Sequence, residues 1–212
     1  MFGLGIQLRK FLHHINRYLQ RSHWMRALVL GGSGFLGSHL VDKLVDDGHF
    51  VRVFCRQSEK FRAPLQDVEY HFSSFDNSAA LTSALAGIDV VYHLISSTIP
   101  SSSNEAPVFD IQSNLANSVR LLELMRVSGP KKIVFISSGG TVYGVPNVTP
   151  IPETHSLNPI CSYGIVKLAI ENYLRMYQRL YGIQPLILRV SNPYGERQNG
   201  TEYQGVIGNF LT

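Results

Sequence analysis

The 212-residue chain is 44% hydrophobic and 16% charged, a balance that supports one sizeable buried core and excludes a disordered or fibrous polypeptide. Its net charge of +4 is local: residues 1–24 hold four of the 19 basic side chains (Arg9, Lys10, Arg17, Arg21) and none of the 15 acidic ones. The remainder is electroneutral, so no basic stripe for nucleic acid is expected, and no apolar run is long enough to span a bilayer.

Within residues 1–24, Leu8, Phe11, Leu12, Ile15 and Leu19 recur at helical spacing. The segment reads either as a basic amphipathic helix, the one part expected to touch a membrane, or as a disordered extension ahead of a natural start at Met25. From Met25 onward, short apolar runs at 27–30, 51–55, 68–72, 90–95, 133–137 and 186–190 alternate with helical patterns. Those patterns cover Leu36, Leu40 and Leu44, then 79–86, 109–127 and 161–181. Alternation of this kind predicts an α/β fold with a doubly wound parallel sheet. In the last helix Val166, Ile170, Tyr173, Tyr177 and Leu180 are expected to form a core seam. Loops rich in Pro, Ser and Asn at 96–107 and 145–159 are expected at the carboxyl edge of the sheet, where such folds bind ligands. Cys55 and Cys161 match neither a disulfide framework nor a zinc site, which suits a reducing, cytoplasmic setting, and no His, Cys or acid cluster has metal-ligand spacing.

The segment Gly31-Gly32-Ser33-Gly34-Phe35-Leu36-Gly37 follows the first strand and opens the first helix. Glycines there permit a tight turn and close approach of a pyrophosphate to helix N-terminal amides, with Gly31 or Gly32 as the first of the set and Gly34 and Gly37 completing it. At the end of the second strand, Phe54-Cys55-Arg56 lacks the acid that would bind a ribose 2′-hydroxyl, and Arg56 leans toward a 2′-phosphate, hence NADP over NAD. Tyr163 and Lys167 lie four residues apart on one helix face, so the ammonium can favour the phenolate and make Tyr163 a base. His93, inside a buried strand, reads as a core histidine.

With these residues in place, residues 25–212 resemble the extended short-chain dehydrogenase/reductase superfamily, in its NAD-dependent epimerase/dehydratase branch, with the style of the UDP-glucose 4-epimerases. The resemblance rests on the glycine segment, Asp89-Val-Val-Tyr-His-Leu, Asn114, Ser137-Ser-Gly-Gly-Thr-Val-Tyr-Gly144, Pro152-Glu153, Tyr163-x-x-x-Lys167 and Arg189-Val-Ser-Asn-Pro-Tyr-Gly195, in that order. It implies a Rossmann domain over 25–195, the start of a substrate-binding region over 196–212, and roughly 100 further residues of that region absent from this chain. By the same resemblance NAD or NADP would contact Gly31, Gly34, Phe35, Leu36, Gly37, Leu94, Ile95, Asn114, Ser137, Tyr163 and Lys167. Phe75 would either pack on the adenine or serve as a core aromatic. Tyr163 would take the proton of a sugar 4-hydroxyl, and Asn192 would bind the diphosphate region of a nucleotide sugar such as a UDP-hexose. The hydroxyl expected on the loop falls at Gly139, so either Ser138 or Thr141 would reach the substrate in its place or the proton relay would be weakened.

The implied activity is nucleotide-sugar epimerisation through transient oxidation at C4, with an NADP-dependent reductase or a non-catalytic dinucleotide-binding module as alternatives. The resemblance further implies a homodimer when complete, and cofactor binding with little or no turnover by the isolated chain.

Overall fold

The computed structural model describes residues 24–198, so the expectations for residues 1–23 and 199–212 lie outside the described residues. Six strands form one parallel sheet: β1 (Arg26–Leu30), β2 (Phe50–Cys55), β3 (Val68–Phe72), β4 (Val90–His93), β5 (Lys132–Ser138) and β6 (Gln184–Val190). Their order is β3-β2-β1-β4-β5-β6, so the winding reverses between β1 and β4. That reversal opens a crevice at the carboxyl ends of the strands. The helices are α1 (Phe35–Asp46), α2 (Ser78–Leu85), α3 (Pro107–Asp110), α4 (Asn117–Ser128) and α5 (Ser162–Tyr181), with a π-helical stretch, Ile111–Ala116, joining α3 to α4. Among the described residues no helix is long and apolar enough to cross a membrane.

Period-two alternation divides each strand between two cores. Ala27, Val29, Val51, Val53 and Val134 pack with Leu40, Val41 and Leu44 of α1. Leu28, Leu30, Ile133 and Phe135 pack with Leu121, Leu122 and Met125 of α4 and with Val166, Ile170 and Leu174 of α5. Each such aliphatic side chain contributes about 1.5–3 kcal/mol on burial. Phe135, fully buried against α5, would cost about 3–5 kcal/mol if truncated to Ala.

Three expectations shift. Strand β4 ends at His93, because the Leu94 amide donates to Leu30 O and β1 then turns away at Gly31; Leu94 and Ile95 leave the sheet to line the crevice. The helix expected over 109–127 carries the π-helical stretch, which places Asp110 and Asn114 together in the interior. The buried line of α5 is Val166, Ile170, Leu174 and Tyr177, while Tyr173 and Leu180 face solvent at 38% and 62% exposure. Leu174, four residues after Ile170, keeps the helical spacing better than Tyr173.

Helix α5 begins without a side-chain cap of its own. The 96–107 loop supplies one: Ser162 N donates to Asn104 Oδ1 (2.9 Å) and Tyr163 N to Ser103 Oγ (3.1 Å). These bonds satisfy orphan donors of the first turn and fix the loop to the helix that bears Tyr163. The helix ends at Gly182, which is left-handed at φ 69° and donates back to Gln178 O.

Candidate active site

The glycine segment is shaped by contacts that leave no room for a side chain. Gly31 holds φ +84°, and its amide donates to Phe54 O at 2.9 Å, tying the turn to β2. A Cβ on Gly37 would stand 2.1 Å from Gly31 O and 2.8 Å from Gly32 Cα, so only glycine lets α1 approach the turn this closely. Gly34, the N-cap of α1, has extended backbone and offers no side-chain cap. The first-turn amides of Phe35, Leu36 and Gly37 therefore stand at the mouth of the crevice with the positive end of the helix dipole behind them. A pyrophosphate fits this cradle, since glycine clears its approach and unpaired amides meet its charge.

At the end of β2, Cys55 is buried; desolvation pushes its thiol up, opposed by a hydrogen bond from the Ser33 side chain. Arg56 is exposed, with no ion pair among the described residues, whereas Arg62 on the same loop pairs with Asp42 and Glu59. The Phe75 ring lies in the core at 7% exposure, 5.2 Å from the His93 ring. His93 is held between Phe75 and Phe135 and bonds Ser118 Oγ at 2.8 Å. Burial, and then the charge of Lys167, drives its pKa down to about 3, which leaves a neutral core histidine.

Tyr163 and Lys167 share one face of α5, with Lys167 Nζ 5.4 Å from the Tyr163 ring centroid and 4.9 Å from that of Phe135. Nζ donates to Ile136 O at 2.9 Å rather than to the phenol. Burial lowers the lysine to about 8, with Asp110 opposing. Burial also raises the Tyr163 phenol, against a hydrogen bond with the Ser96 side chain. The resting phenol is therefore held above its ordinary value, with Ser96 rather than Lys167 as its hydrogen-bond partner. The physical reason is that desolvation opposes a phenolate and the ammonium is directed at a carbonyl.

Asp110 is fully buried beneath this pair. Its Oδ1 accepts from Thr98 Oγ1 and Asn114 Nδ2, both at 2.8 Å, and its Oδ2 accepts from Ser162 Oγ at 2.7 Å. Asn114 Oδ1 accepts from Ser97 N at 2.8 Å, so Asn114 braces the loop beyond β4. On the far side, Glu171 of α5, also fully buried, receives Ser137 Oγ at 2.6 Å and two bonds from Arg189 at 3.0 and 2.7 Å. The Ser137 hydroxyl is thereby committed to Glu171. Ser138 Oγ accepts from Thr141 N at 3.2 Å and caps the turn, and Thr141 Oγ1 is buried with no partner among the described residues. Asn192 lies exposed just beyond β6, in a left-handed conformation at φ 41°.

A glycine turn at the switch point and a helix bearing Tyr163 and a buried lysine thus lie at the same carboxyl edge of the sheet. Residues 27–212 match the NAD dependent epimerase/dehydratase family. The chain belongs to that family. It is 38% identical over 190 residues to a putative UDP-glucose 4-epimerase of Methanocaldococcus jannaschii, a match covering 87% of this chain and 61% of that one. The solved structure of a Thermotoga maritima UDP-glucose 4-epimerase with UDP-glucose superposes with a TM-score of 0.82 at 35% identity, covering 88% of this chain and 62% of that one. A Thermus thermophilus UDP-glucose 4-epimerase complexed with NAD gives a TM-score of 0.81 at 34% identity, covering 88% and 61%. The chain spans about three fifths of the length of these relatives.

For a member of the epimerase/dehydratase family, the residues that sequence reasoning missed are the buried carboxylates. Asp110 and Glu171 each sit on helices among apolar neighbours, and their partners lie as far as 52 residues away in sequence. The one local signal is Asp110 and Asn114 at i and i+4, a spacing common on exposed helix faces. Among the described residues no group of His, Cys, Asp and Glu could hold a metal ion.

Proposed function

We propose that this chain carries the cofactor-binding and hydride-transfer half of a nucleotide-sugar 4-epimerase, with NAD as its preferred dinucleotide. One observation supports the reading: the glycine turn at Gly31, Gly34 and Gly37 follows β1, and α5 with Tyr163 beside Lys167 follows β5, so both lie at the carboxyl edge of one parallel sheet. The dinucleotide, when bound, supplies a hydride acceptor and, in its oxidised ring, a positive charge.

The chain's own residues then divide the remaining work. The α1 amides hold the pyrophosphate, and Leu94 and Ile95 lie against Gly31 of the cradle. Lys167 is kept in place by Ile136 O, with its charge against the Tyr163 ring. Added positive charge in the crevice lowers the cost of a phenolate, so Tyr163 becomes able to accept the sugar hydroxyl proton when the site is loaded. Asn192, exposed beyond β6, is available to a substrate diphosphate. Exposed Arg56 tolerates a 2′-phosphate, which supports binding of NADP as a second dinucleotide.

The test loads the protein with NAD, adds UDP-galactose or UDP-glucose, and follows absorbance at 340 nm together with the ratio of the two sugars. Slow formation of the reduced cofactor, with little interconversion of the two sugars by this chain and no net consumption, is the expected result. Preference for NADP with stoichiometric consumption of NADPH would contradict the epimerase reading and favour a reductase. Parallel calorimetric titrations with NAD and NADP rank the two dinucleotides.

A further inference from the structure

We propose that the hydroxyl missing at Gly139 is supplied from the neighbouring strand by Ser191, which meets the reacting oxygen of the substrate in place of a residue-139 side chain. The inference deepens the epimerase reading above and rests on it.

The face of the sheet decides which side chains can reach Tyr163. On β5, Ile133 and Phe135 pack in the core that holds α5, and Ser137 bonds Glu171 of that helix. Alternation puts Gly139 on this face and Ser138 on the opposite one, continuing Val134 and Ile136. Of the two hydroxyls nearest in sequence, Ser138 lies on that opposite face, where its Oγ accepts from Thr141 N, and Thr141 Oγ1 is buried.

On β6 the corresponding face carries Ile187 and Arg189, the latter bonded to Glu171, so Ser191 is the next residue on the α5 side. The register pairs Ser137 with Arg189 and Ser138 with Val190, and the next pair in sequence is Gly139 with Ser191. The Gly139 amide donates to Val190 O at 2.8 Å, which holds the two chains together beyond the last formal strand residues. A Cβ on Gly139 would stand 2.8 Å from Ser191 Cβ, 2.9 Å from Ser191 N and 3.0 Å from Arg189 O. Ser191 therefore fills the space that a side chain at 139 would enter, and a serine at 139 has no room. Ser191 is itself exposed, and no hydrogen bond among the described residues occupies its hydroxyl. The glycine and the serine are one arrangement: a hydroxyl moved across by one strand, about 4.8 Å.

The experiment measures single hydride transfer at 340 nm from a UDP-hexose to the NAD-loaded full chain, with NAD affinity by calorimetry and thermal unfolding alongside. Ser191→Ala is expected to slow hydride transfer about a hundredfold, the scale of losing one hydrogen bond that strengthens in the transition state. Its NAD affinity and unfolding temperature should remain at the wild-type values. Ser191→Thr, which keeps a hydroxyl, should stay within about tenfold of wild type. Gly139→Ser should lower the unfolding temperature, because the added Cβ meets backbone atoms. Ser191→Ala at the wild-type rate, while wild type reacts, would overturn the proposal and leave the epimerase reading intact. So would a Gly139→Ser variant as stable as wild type and faster. Wild type forming no reduced cofactor with either sugar would overturn the epimerase reading and this proposal with it.

Discussion

Between Gly31 and Gly37 the crevice is shaped by side chains that are absent, whereas along α5, β5 and β6 it is shaped by charges that are buried. In the first region the decisive contacts are backbone to backbone, such as the 2.1 Å that a Gly37 Cβ would leave to Gly31 O. In the second, Asp110 and Glu171 are fully buried and bonded by side chains such as Thr98, Ser162, Ser137 and Arg189, and Lys167, 5% exposed, donates to the Ile136 carbonyl. The cradle is closely packed because no side chain fits at Gly37. The reactive edge is tuned first by burial, which lowers Lys167, and then by neighbouring charge, with Asp110 opposing that shift.

Substitution at the cradle should have the largest effect. Gly37→Ala forces the helix away from the turn, and NAD binding measured by calorimetry is expected to be lost, with a fall in unfolding temperature; retention of wild-type affinity would show that the close approach is dispensable. Asp110→Asn should act next most strongly, and on a different quantity. With the carboxylate gone, Lys167 loses the charge that opposes its desolvation, so its pKa, about 8 in the native chain, should fall further.

This shift is readable by NMR of ¹³Cε-labelled lysine, and it has a signature in stability. Lys167 has an ordinary value of 10.5 and a folded value of about 8, so between those pH values the unfolded chain binds more protons. Its contribution to stability therefore rises with pH across that window. Asp110→Asn should open the window at lower pH, and an unchanged lysine titration would refute the coupling. Smallest of all, Arg56→Gln should leave NAD affinity within about threefold, as expected for an exposed charge, while weakening NADP if the guanidinium meets its phosphate.

The same contrast explains what could be read before the fold was seen. The cradle was legible because its constraints are local: Gly31, Gly34 and Gly37 lie on one turn, and strand and helix patterns flank them. The doubly wound parallel sheet and the position of Tyr163 and Lys167 on one helix followed equally from pattern, whereas the strand order did not. The acidity of Tyr163 was not legible, since it depends on burial and on Ser96, 67 positions upstream. Nor were the roles of Ser138 and Thr141, which turn on hydrogen bonds of the folded loop. Phe75 showed an aromatic at a strand end, but only the packing against His93 reveals that its ring belongs to the core. Ser191 was hidden most completely, because its meaning comes from a glycine on the neighbouring strand.

The division of labour between the two regions can be tested directly with Tyr163→Phe loaded with NAD to the same occupancy as wild type. Mixed with a UDP-hexose and followed at 340 nm, the variant should bind the dinucleotide yet transfer hydride about a thousandfold more slowly, within the range general-base catalysis contributes. Hydride transfer at the wild-type rate at equal occupancy would contradict the assignment of the chemistry to α5.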